Sequence, residues 1–471
     1  MSSSNELATR PIRDLAVAIA ARELSPVELT EAFLSRIEDL NPGLRAFNTV
    51  TAQAALEQAR NAEQDIEAGT YRSPLHGIPV AIKDLLYTRG VRTTVSSKIF
   101  DQWIPEQNAT VVDKLETAGA ICLGKLNMTE FALSGYHPEL QPPVNPWDAD
   151  HWPGVSSSGS GVATAARLCC AAIGTDTGGS IRLPSAANGV VGIKPTYGRV
   201  SRHNAFPLAE SLDHIGPMAG SVEDAALLLN AIAGYDANDP TSLDLPGEDF
   251  TAGIGREFKG VRIGIDSRFN AQVDPQVAAA LEEVARVIAT LGAEIVDADV
   301  TGIEEGAEHW YNLTAVEAGN HHRDTYPARA DDYGPVFRGL LEHGHSLTGL
   351  EISRAYTARA RVRSLMTQAL AEIDMLLCPS AAGPAPALDQ FPPQMELPPE
   401  AVGPIVLYQA PFNFSGNPTI SVPMGFAQPC LPLSLQLVGR HCEEARLVQV
   451  ASAYEHATEW HKQIAPGAQI T

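Results

Sequence analysis

Residues 154–196 read GVSSSGSGVATAARLCCAAIGTDTGGSIRLPSAANGVVGIKPT and contain two loops rich in serine and glycine. Ser156 lies at the centre of the first loop and Ser180 at the centre of the second. The small apolar residues between them predict a helix over 161–172, which would let the two loops pack closely. Loops of this composition bring backbone N–H groups and hydroxyls to one point, as acyl-transfer chemistry requires.

The second loop, Thr177-Gly178-Gly179-Ser180, has the composition of an oxyanion hole beside a nucleophile. Two glycines before a hydroxyl let the backbone turn sharply and expose several N–H donors, each worth about 3–4 kcal/mol to a transition state. A tight turn without catalytic function is one alternative, and a phosphate-binding loop is another. A P-loop requires Gly-Lys-Ser/Thr at the start of a helix, whereas Ile181-Arg-Leu-Pro follows here.

Lys83 is the candidate base, because it lies in the apolar run Ile78-Pro-Val-Ala-Ile-Lys-Asp-Leu85. Burial of an unpaired ammonium is costly, so such a lysine either finds partners or loses its proton. A pKa lowered to about 7–8 would make Lys83 a usable general base. A surface ion pair with Asp84 or a solvated strand end is the alternative. Ser156 would connect Lys83 to the nucleophile, because a hydroxyl both donates and accepts hydrogen bonds.

The composition excludes several classes of function. With 471 residues, 44% of them apolar, the chain can bury a large core. Its net charge of −23 disfavours a nucleic-acid-binding surface, which needs clustered lysine and arginine. The six cysteines form no Cys-x-x-Cys pair, so we expect free thiols and no metal site. The N-terminus has no signal-peptide pattern and no apolar run approaches the roughly 20 residues that span a bilayer, so we expect a cytoplasmic protein without a membrane segment.

Alternating helical and strand patterns predict one α/β domain with a mixed sheet. Ser25, Pro26 and Glu28 predict a helix start, since they match an N-cap, a first-turn proline and a capping-box glutamate. The other predicted elements are helices from Thr51 to about Gly69, from Val222, and over 109–118 and 276–291, and strands over 77–86, 120–123, 261–266, 294–300, 375–379 and 419–423. We expect 303–350 to form helices and loops peripheral to the core, and the proline-rich segment 380–400 to form a rim or lid.

The segment 154–196 resembles the amidase signature, and the resemblance extends over nearly the whole chain. Further matching stretches are Gly77–Asp84, Gly124–Phe131, Asn145–Trp147, Ser211–Pro217 and Leu433–Gly439. The resemblance implies a single compact α/β domain over 1–471, with a large twisted mixed β-sheet covered by helices. Its signature core would lie at about 75–220, and a peripheral helical and loop region at about 303–400.

The resemblance also implies a Ser–cis-Ser–Lys triad without a metal or an organic cofactor. Ser180 would be the acylated nucleophile, Ser156 the bridging serine and Lys83 the base. The backbone N–H groups that would form the oxyanion hole are those of Thr177, Gly178, Gly179 and Ser180. Ser157, Ser158 and Ser160 would be supporting hydrogen bonders or turn residues.

This chain departs from the usual family pattern, Gly-Gly-Ser-Ser-Gly-Gly-Ser, at two positions of the first loop. Val155 and Ser158 replace glycines, so the expected cis peptide bond would join Val155 to Ser156. Asp176 and Arg182 match positions that look structural in the family.

The expected function is hydrolysis of a small-molecule carboxylic amide by acyl transfer to water, and the family also includes hydrolases of esters and carbamates. The candidate substrate-binding residues are Phe131, Ala132, Tyr136 and Trp152, which lie near the catalytic motifs and could line an apolar pocket; core packing is the alternative. We expect neither nucleic acid nor membrane as a partner, and a homodimer as the oligomeric state.

Two other functions stay open at this point. One is the glutaminase subunit of a tRNA-dependent amidotransferase, which resembles this chain over much of its length and works within a complex. Members of that branch usually carry glutamine where Leu183 stands here, which weakens this alternative. The other is a non-catalytic binding protein on the same fold, which is disfavoured because all three chemical residues are present.

Overall fold

One mixed β-sheet organises the chain. The structure is a computed structural model and describes residues 2–392, 399–428 and 430–469. Its strands are β1 (Phe47–Val50), β2 (Pro79–Lys83), β3 (Ile121–Leu126), β4 (Ala171–Asp176), β5 (Val191–Lys194), β6 (His214–Ala219), β7 (Arg262–Ile265), β8 (Glu294–Asp297), β9 (Met375–Pro379), β10 (Thr419–Ala427) and β11 (Leu431–Gly439). Their order across the sheet is β1-β3-β2-β4-β6-β5-β10-β11-β9-β7-β8.

Helices cover this sheet and make the molecule a single compact α/β domain. Over the described ranges they are α1 (Ser2–Thr9), α2 (Ile12–Ala20), α3 (Pro26–Leu44), α4 (Ala52–Glu67), α5 (Thr110–Ala118), α6 (Ser158–Ala165), α7 (Arg182–Asn188), α8 (Val222–Ile232), α9 (Pro275–Thr290), α10 (Glu305–His321), α11 (Pro335–Ser346), α12 (Gly349–Glu372), α13 (Pro399–Leu407), α14 (Ala410–Ser415) and α15 (Glu444–Thr458). None of these helices has the length and apolar character that a membrane crossing requires.

The parallel part of the sheet positions the site. Strand β2 runs parallel to β3 on one side and to β4 on the other, and every residue of β2 is buried. Lys83 is the last residue of β2 and lies opposite Leu126, the last residue of β3. Since carboxyl ends of parallel strands meet at one edge, the loop after β4 emerges beside Lys83.

Helix starts with local signals follow the sequence predictions. Helix α3 begins at Pro26, and Ser25 Oγ accepts from the backbone N–H groups of Val27 and Glu28 at 3.0 and 3.3 Å. Helices α4, α5, α8 and α9 likewise begin within a residue or two of the predicted positions. Helices α3, α8 and α9 have side-chain N-caps at Ser25, Ser221 and Asp274. All five helices also bury an apolar stripe within their own segment, which explains why sequence alone finds them.

The helix predicted over 161–172 is wrong in its second half. Helix α6 ends at Ala165, and residues 171–176 form strand β4 instead. Strand β4 pairs with β2 and β6, so both neighbours satisfy its backbone hydrogen bonds. Small residues that fit a helix also fit a fully buried strand, and tertiary pairing decides between them. Cys169 and Cys170 therefore lie in the connection between α6 and β4 rather than in a helix.

The proline-rich segment 380–400, predicted as a rim or lid, falls partly outside the described residues, because these exclude 393–398. Residues 303–350 form helices α10 and α11, as predicted. They are less peripheral than expected, since Leu313 and Leu340 are fully buried. Trp310 of α10 also reaches the loop that follows β4.

Candidate active site

Lys83 lies at the centre of a group of hydroxyls. Its Nζ lies 2.8 Å from each of three oxygens: Ser156 Oγ, Ser157 Oγ and Thr175 Oγ1. The side chain is fully buried. This burial lowers the pKa of Lys83 to about 7, although the carboxylates of Asp176 and Asp213 act in the opposite direction. Near neutral pH the lysine is therefore poised between ammonium and free amine.

The partners of Lys83 differ in what they can donate. Ser157 donates its own proton to the carbonyl of Thr175 at 3.1 Å, so its oxygen accepts from Lys83. A neutral amine offers two N–H donors and one lone pair to three partners. When Ser157 and Thr175 accept the two N–H groups, the lone pair is left for the hydroxyl of Ser156. This arrangement suits a lysine that takes a proton from Ser156.

The first serine loop is built tightly around Ser156. A cis peptide bond joins Val155 to Ser156, at the position that the family resemblance implies. Gly154 has φ +76, and a Cβ there would lie 2.5 Å from the Cα of Pro184, so glycine is required. The N–H of Ser157 donates to the carbonyl of Ser180 at 3.3 Å, which ties the two serine loops together.

The second serine loop leads from β4 into α7 and carries Ser180. Ser180 is partly exposed, whereas Ser156 is fully buried. Gly179 has φ +113, and a Cβ there would lie 2.8 Å from Gln409. A Cβ at Gly178 would lie 2.5 Å from the indole ring of Trp310. The two glycines therefore let the chain turn between close neighbours and present Ser180 to solvent.

Three carbonyls in or next to this loop accept hydrogen bonds from groups outside it. Asp176 O accepts from Asn413 Nδ2 at 3.1 Å. Thr177 O accepts from Trp310 Nε1 at 2.9 Å. Gly179 O accepts from the N–H of Leu183 at 2.7 Å. In a trans peptide the N–H points opposite to the carbonyl, so these contacts fix where the next N–H points.

The N–H groups of the loop are not equivalent. That of Gly179 donates to Asp176 Oδ1 at 2.8 Å and is already occupied. Those of Thr177, Gly178 and Ser180 have no acceptor within the part of the chain that the structure describes. The predicted set of donors therefore divides into one occupied N–H group and three unoccupied ones.

Asp176 and Arg182 form a buried pair that supports the loop. Arg182 Nε donates to Asp176 Oδ2 at 3.0 Å, and Nη2 donates to Oδ1 at 2.9 Å. Arg182 also donates to Gln436 of β11 and to Asn413 of α14. Burial alone would raise the pKa of Asp176, but the guanidinium of Arg182 holds it well below its usual range. The pair thus joins β4, α7, α14 and β11 beneath Ser180.

A cleft of about 450 Å³ opens beside the end of β4. Thr175, Thr177 and Asp213 lie in its wall. Thr177 Oγ1 donates to Asp213 Oδ1 at 2.5 Å. Burial raises the pKa of Asp213 to about 6, against the hydrogen bonds that it accepts. The cleft therefore brings solvent to one of the hydroxyls that contact Lys83.

The four candidate substrate-binding residues do not form one pocket. Ala132 lines the cleft with Thr175. Trp152 lines a separate cavity of about 180 Å³, together with Leu183 and Phe391. Tyr136 is buried and donates to Ser158 Oγ.

Phe131 is buried in an aromatic cluster, where its ring centroid lies 4.4 Å from that of His322. For Tyr136 and Phe131 the core-packing alternative therefore describes their surroundings better than a substrate pocket does.

Sequence reasoning did not single out Thr175 or Trp310. Thr175 contacts Lys83 because β4 runs beside β2. The sequence did not predict β4, because its first two residues were assigned to a helix. Trp310 comes from α10, and no local pattern links it to the loop. No cluster of three or more potential metal ligands is found among the residues described.

Comparison with known proteins gives consistent matches. The family model called Amidase matches residues 28–448. "Putative amidase AmiD" of Mycobacterium tuberculosis (strain ATCC 25618 / H37Rv) is 41% identical over 455 residues, covering 97% of this chain and 95% of that protein. A glutamyl-tRNA(Gln) amidotransferase subunit of Geobacter sp. (strain M21) is 38% identical over 485 residues, covering 97% and 98%. The native peptide amidase from Stenotrophomonas maltophilia, known from an X-ray structure, is 32% identical in sequence with a TM-score of 0.81. The match covers 95% of this chain and 97% of that chain.

Proposed function

Because the chain belongs to the amidase family, whose members hydrolyse carbon–nitrogen bonds, we propose that it cleaves a small-molecule carboxylic amide through an acyl-enzyme on Ser180. One observation carries this proposal. Lys83 Nζ lies 2.8 Å from Ser156 Oγ in a fully buried site, where the lysine pKa is lowered to about 7. A base of this pKa can take a proton at neutral pH.

The first half-reaction forms the acyl-enzyme. Ser180 Oγ attacks the amide carbonyl and passes its proton to Ser156, while Ser156 passes its own proton to the lone pair of Lys83. The new bond joins Ser180 Oγ to the carbonyl carbon, whose oxygen becomes an oxyanion. Collapse of this intermediate breaks the carbon–nitrogen bond, and the proton returns from Lys83 through Ser156 to the leaving amine.

The oxyanion is stabilised by backbone donors of the loop. We assign this role to the N–H groups of Gly178 and Ser180, with that of Thr177 as a third donor. Gly179, which the sequence placed in this set, contributes by its turn, because its N–H already donates to Asp176. Donors held in fixed positions lower the barrier by several kcal/mol.

The second half-reaction hydrolyses the acyl-enzyme by the same route. Water attacks the acyl carbon and gives up a proton through Ser156 to Lys83. Ser180 recovers its proton as the carboxylic acid leaves. The cleft beside Thr175 supplies a path for this water, and the proposed steps use no metal or organic cofactor. We place this reaction in the cytoplasm, where the six free cysteines would stay reduced.

A hydrolysis screen over primary amides, anilides, carbamates, esters and glutamine tests the proposal. We expect turnover of at least one amide, and loss of that turnover in Ser180→Ala, Ser156→Ala and Lys83→Ala. Ser160→Ala is the matched control, because this buried serine of α6 donates to the carbonyl of Ile173 and does not contact Lys83. Full amide turnover by Ser180→Ala would contradict the assignment.

The second candidate is the glutaminase component of an amidotransferase complex, which the similarity to the Geobacter protein favours. Ammonia release from glutamine that appears only when partner proteins copurify would support it. Turnover of another amide by the isolated chain would instead favour the independent hydrolase.

A further inference from the structure

We propose that Trp310 is a positioning residue for the oxyanion hole. In this proposal, which rests on the acyl-enzyme proposed at Ser180, the indole N–H orients the peptide unit between Thr177 and Gly178. The N–H of Gly178 then faces the site where the oxyanion forms.

The contact between Trp310 and the loop is direct and polar. Trp310 Nε1 donates to Thr177 O at 2.9 Å. The ring also lies against the next residue, since a Cβ on Gly178 would lie 2.5 Å from both Trp310 Cε2 and Trp310 Nε1. Gly178 has no side chain that could hold the ring off, so the indole contacts both ends of one peptide unit.

The contact with Trp310 determines where the N–H of Gly178 points. The only cis bonds among the described residues are Val155–Ser156 and Tyr326–Pro327, so the peptide between Thr177 and Gly178 is trans. Its carbonyl points at Trp310, and its N–H therefore points away from α10. Rotation of this peptide would break the bond to Trp310 and turn the N–H away from the oxyanion. The indole N–H thus opposes the motion that would remove one donor.

Helix α10 holds Trp310 in a fixed position. A Cβ on Gly306 of the same helix would lie 2.9 Å from the Cα of Pro411, so α10 lies closely against α14. Near the other end of α10, Glu317 accepts from the N–H and the hydroxyl of Ser211 at 2.9 and 2.6 Å. Trp310 therefore approaches the loop from an element anchored at two points.

The other two carbonyl contacts of the loop have different origins. Leu183 lies in α7, which directly continues the loop, and Asn413 also contacts the Asp176–Arg182 pair. For Thr177 the donor comes from a side chain 133 residues away, whose indole N–H bonds to this carbonyl and not to the pair. Removing the indole N–H can therefore change the orientation of one peptide while Asp176 and Arg182 stay paired.

The test compares Trp310→Phe with wild type and with Trp460→Phe, a partly buried tryptophan outside the site. The probe is an alkyl fluorophosphonate, which forms a bond from Ser180 Oγ to phosphorus and releases fluoride. Its phosphoryl oxygen develops negative charge where the oxyanion would lie.

Loss of a full oxyanion donor costs about 10²–10³-fold in rate, so misorientation of one donor should lower kinact by about 10- to 100-fold. We expect KI to stay unchanged and Trp460→Phe to react like wild type.

A second variant separates the hydrogen bond from the packing of the ring. Replacement of Trp310 by 3-benzothienylalanine keeps the bicyclic shape and puts sulfur in place of the N–H. We expect it to lose as much kinact as Trp310→Phe while it still unfolds in one cooperative transition. A benzothienyl variant that reacts at the wild-type rate, or a Trp310→Phe variant within twofold of wild type, would overturn the proposal. If wild type itself fails to react at Ser180, the proposed function fails instead, so the two failures are distinguishable.

Discussion

Two fully buried lysines lie on neighbouring strands, yet their surroundings differ. Lys83 ends β2 and Lys125 lies in β3, and the register pairs Lys83 with Leu126 and Lys125 with Ile82. Adjacent positions of a strand point to opposite faces, so the two lysines lie on opposite sides of the sheet. Lys83 contacts three hydroxyls.

Lys125 contacts the carbonyl of Leu86, two threonine hydroxyls and, at 3.9 Å, the carboxylate of Asp84. A carbonyl and a carboxylate only accept hydrogen bonds, so they favour an ammonium at Lys125. A hydroxyl can also donate a hydrogen bond, so the hydroxyls around Lys83 are compatible with both the ammonium and the free amine. Burial lowers both pKa values, to about 7 at Lys83 and about 8 at Lys125, where Asp84 opposes the shift. The partners, rather than burial alone, therefore distinguish the proposed base Lys83 from Lys125.

The largest expected effect comes from replacing each lysine in turn. Lys83→Met should lower the rate of fluorophosphonate reaction by about 10²–10⁴-fold, the usual contribution of a general base. Lys125→Met should keep that rate but lose about 3–5 kcal/mol of unfolding free energy, because it leaves Asp84 buried without its partner. Inactivation kinetics and urea unfolding measure the two effects. Equal loss of reactivity in both variants would contradict the assignment of different roles to Lys83 and Lys125.

The pH dependence of the reaction should follow Lys83. Since only the free amine accepts a proton, kinact should rise with pH up to a midpoint near the pKa of about 7 and then level off. Below the midpoint the slope should approach tenfold per pH unit. Lys125→Met should leave the midpoint unchanged. A flat profile across this range in wild type would argue against Lys83 as the base.

Smaller effects are expected from the threonines that contact the two lysines. Thr175→Val removes one hydroxyl from Lys83 and should lower kinact by about tenfold, because the lone pair is no longer directed at Ser156. Thr93→Val is the matched change at Lys125 and should cost about 1–3 kcal/mol of stability without loss of kinact. Thr175→Ser should restore the rate, and failure to do so would show that the methyl group rather than the hydroxyl matters.

A further effect concerns the dependence of stability on pH. Between the lowered pKa of about 7 and the ordinary value of 10.5, the unfolded chain binds a proton at Lys83 that the folded chain does not. Stability linked to Lys83 therefore rises with pH through this window and is lowest below it. Lys83→Met removes this contribution. The unfolding free energy of the variant minus that of wild type should therefore be most positive below pH 7 and should fall towards pH 10.5. Urea unfolding at several pH values measures this difference, and a difference that grows with pH would contradict the expected linkage.

Local signals in the sequence sufficed for part of the fold and for one contact of the candidate site. The cap at Ser25 predicts α3, and Lys83 contacts Ser156 of the first serine loop, as the sequence predicts. Strand β4 could not be separated from a helix, because its pairing with β2 and β6 is a tertiary interaction between distant segments. Thr175 was missed for the same reason.

The candidate substrate residues show a second limit. Proximity in sequence to the catalytic motifs suggested one pocket, but the structure separates Ala132 from Trp152 and buries Phe131. Trp310 shows a third limit, since a helix from a distant segment delivers its N–H to the loop. Contacts made by packing of distant elements leave no periodic or local signal in the chain.

Peptide mapping of the fluorophosphonate adduct tests the central claim most directly. We expect one adduct per chain, located on Ser180 by mass spectrometry, formed at a rate that Lys83→Met lowers by at least about a hundredfold. Lys125→Met should form the same adduct at the wild-type rate. An adduct on another residue, or an undiminished rate in Lys83→Met, would contradict a Ser180 nucleophile activated through Ser156 by Lys83.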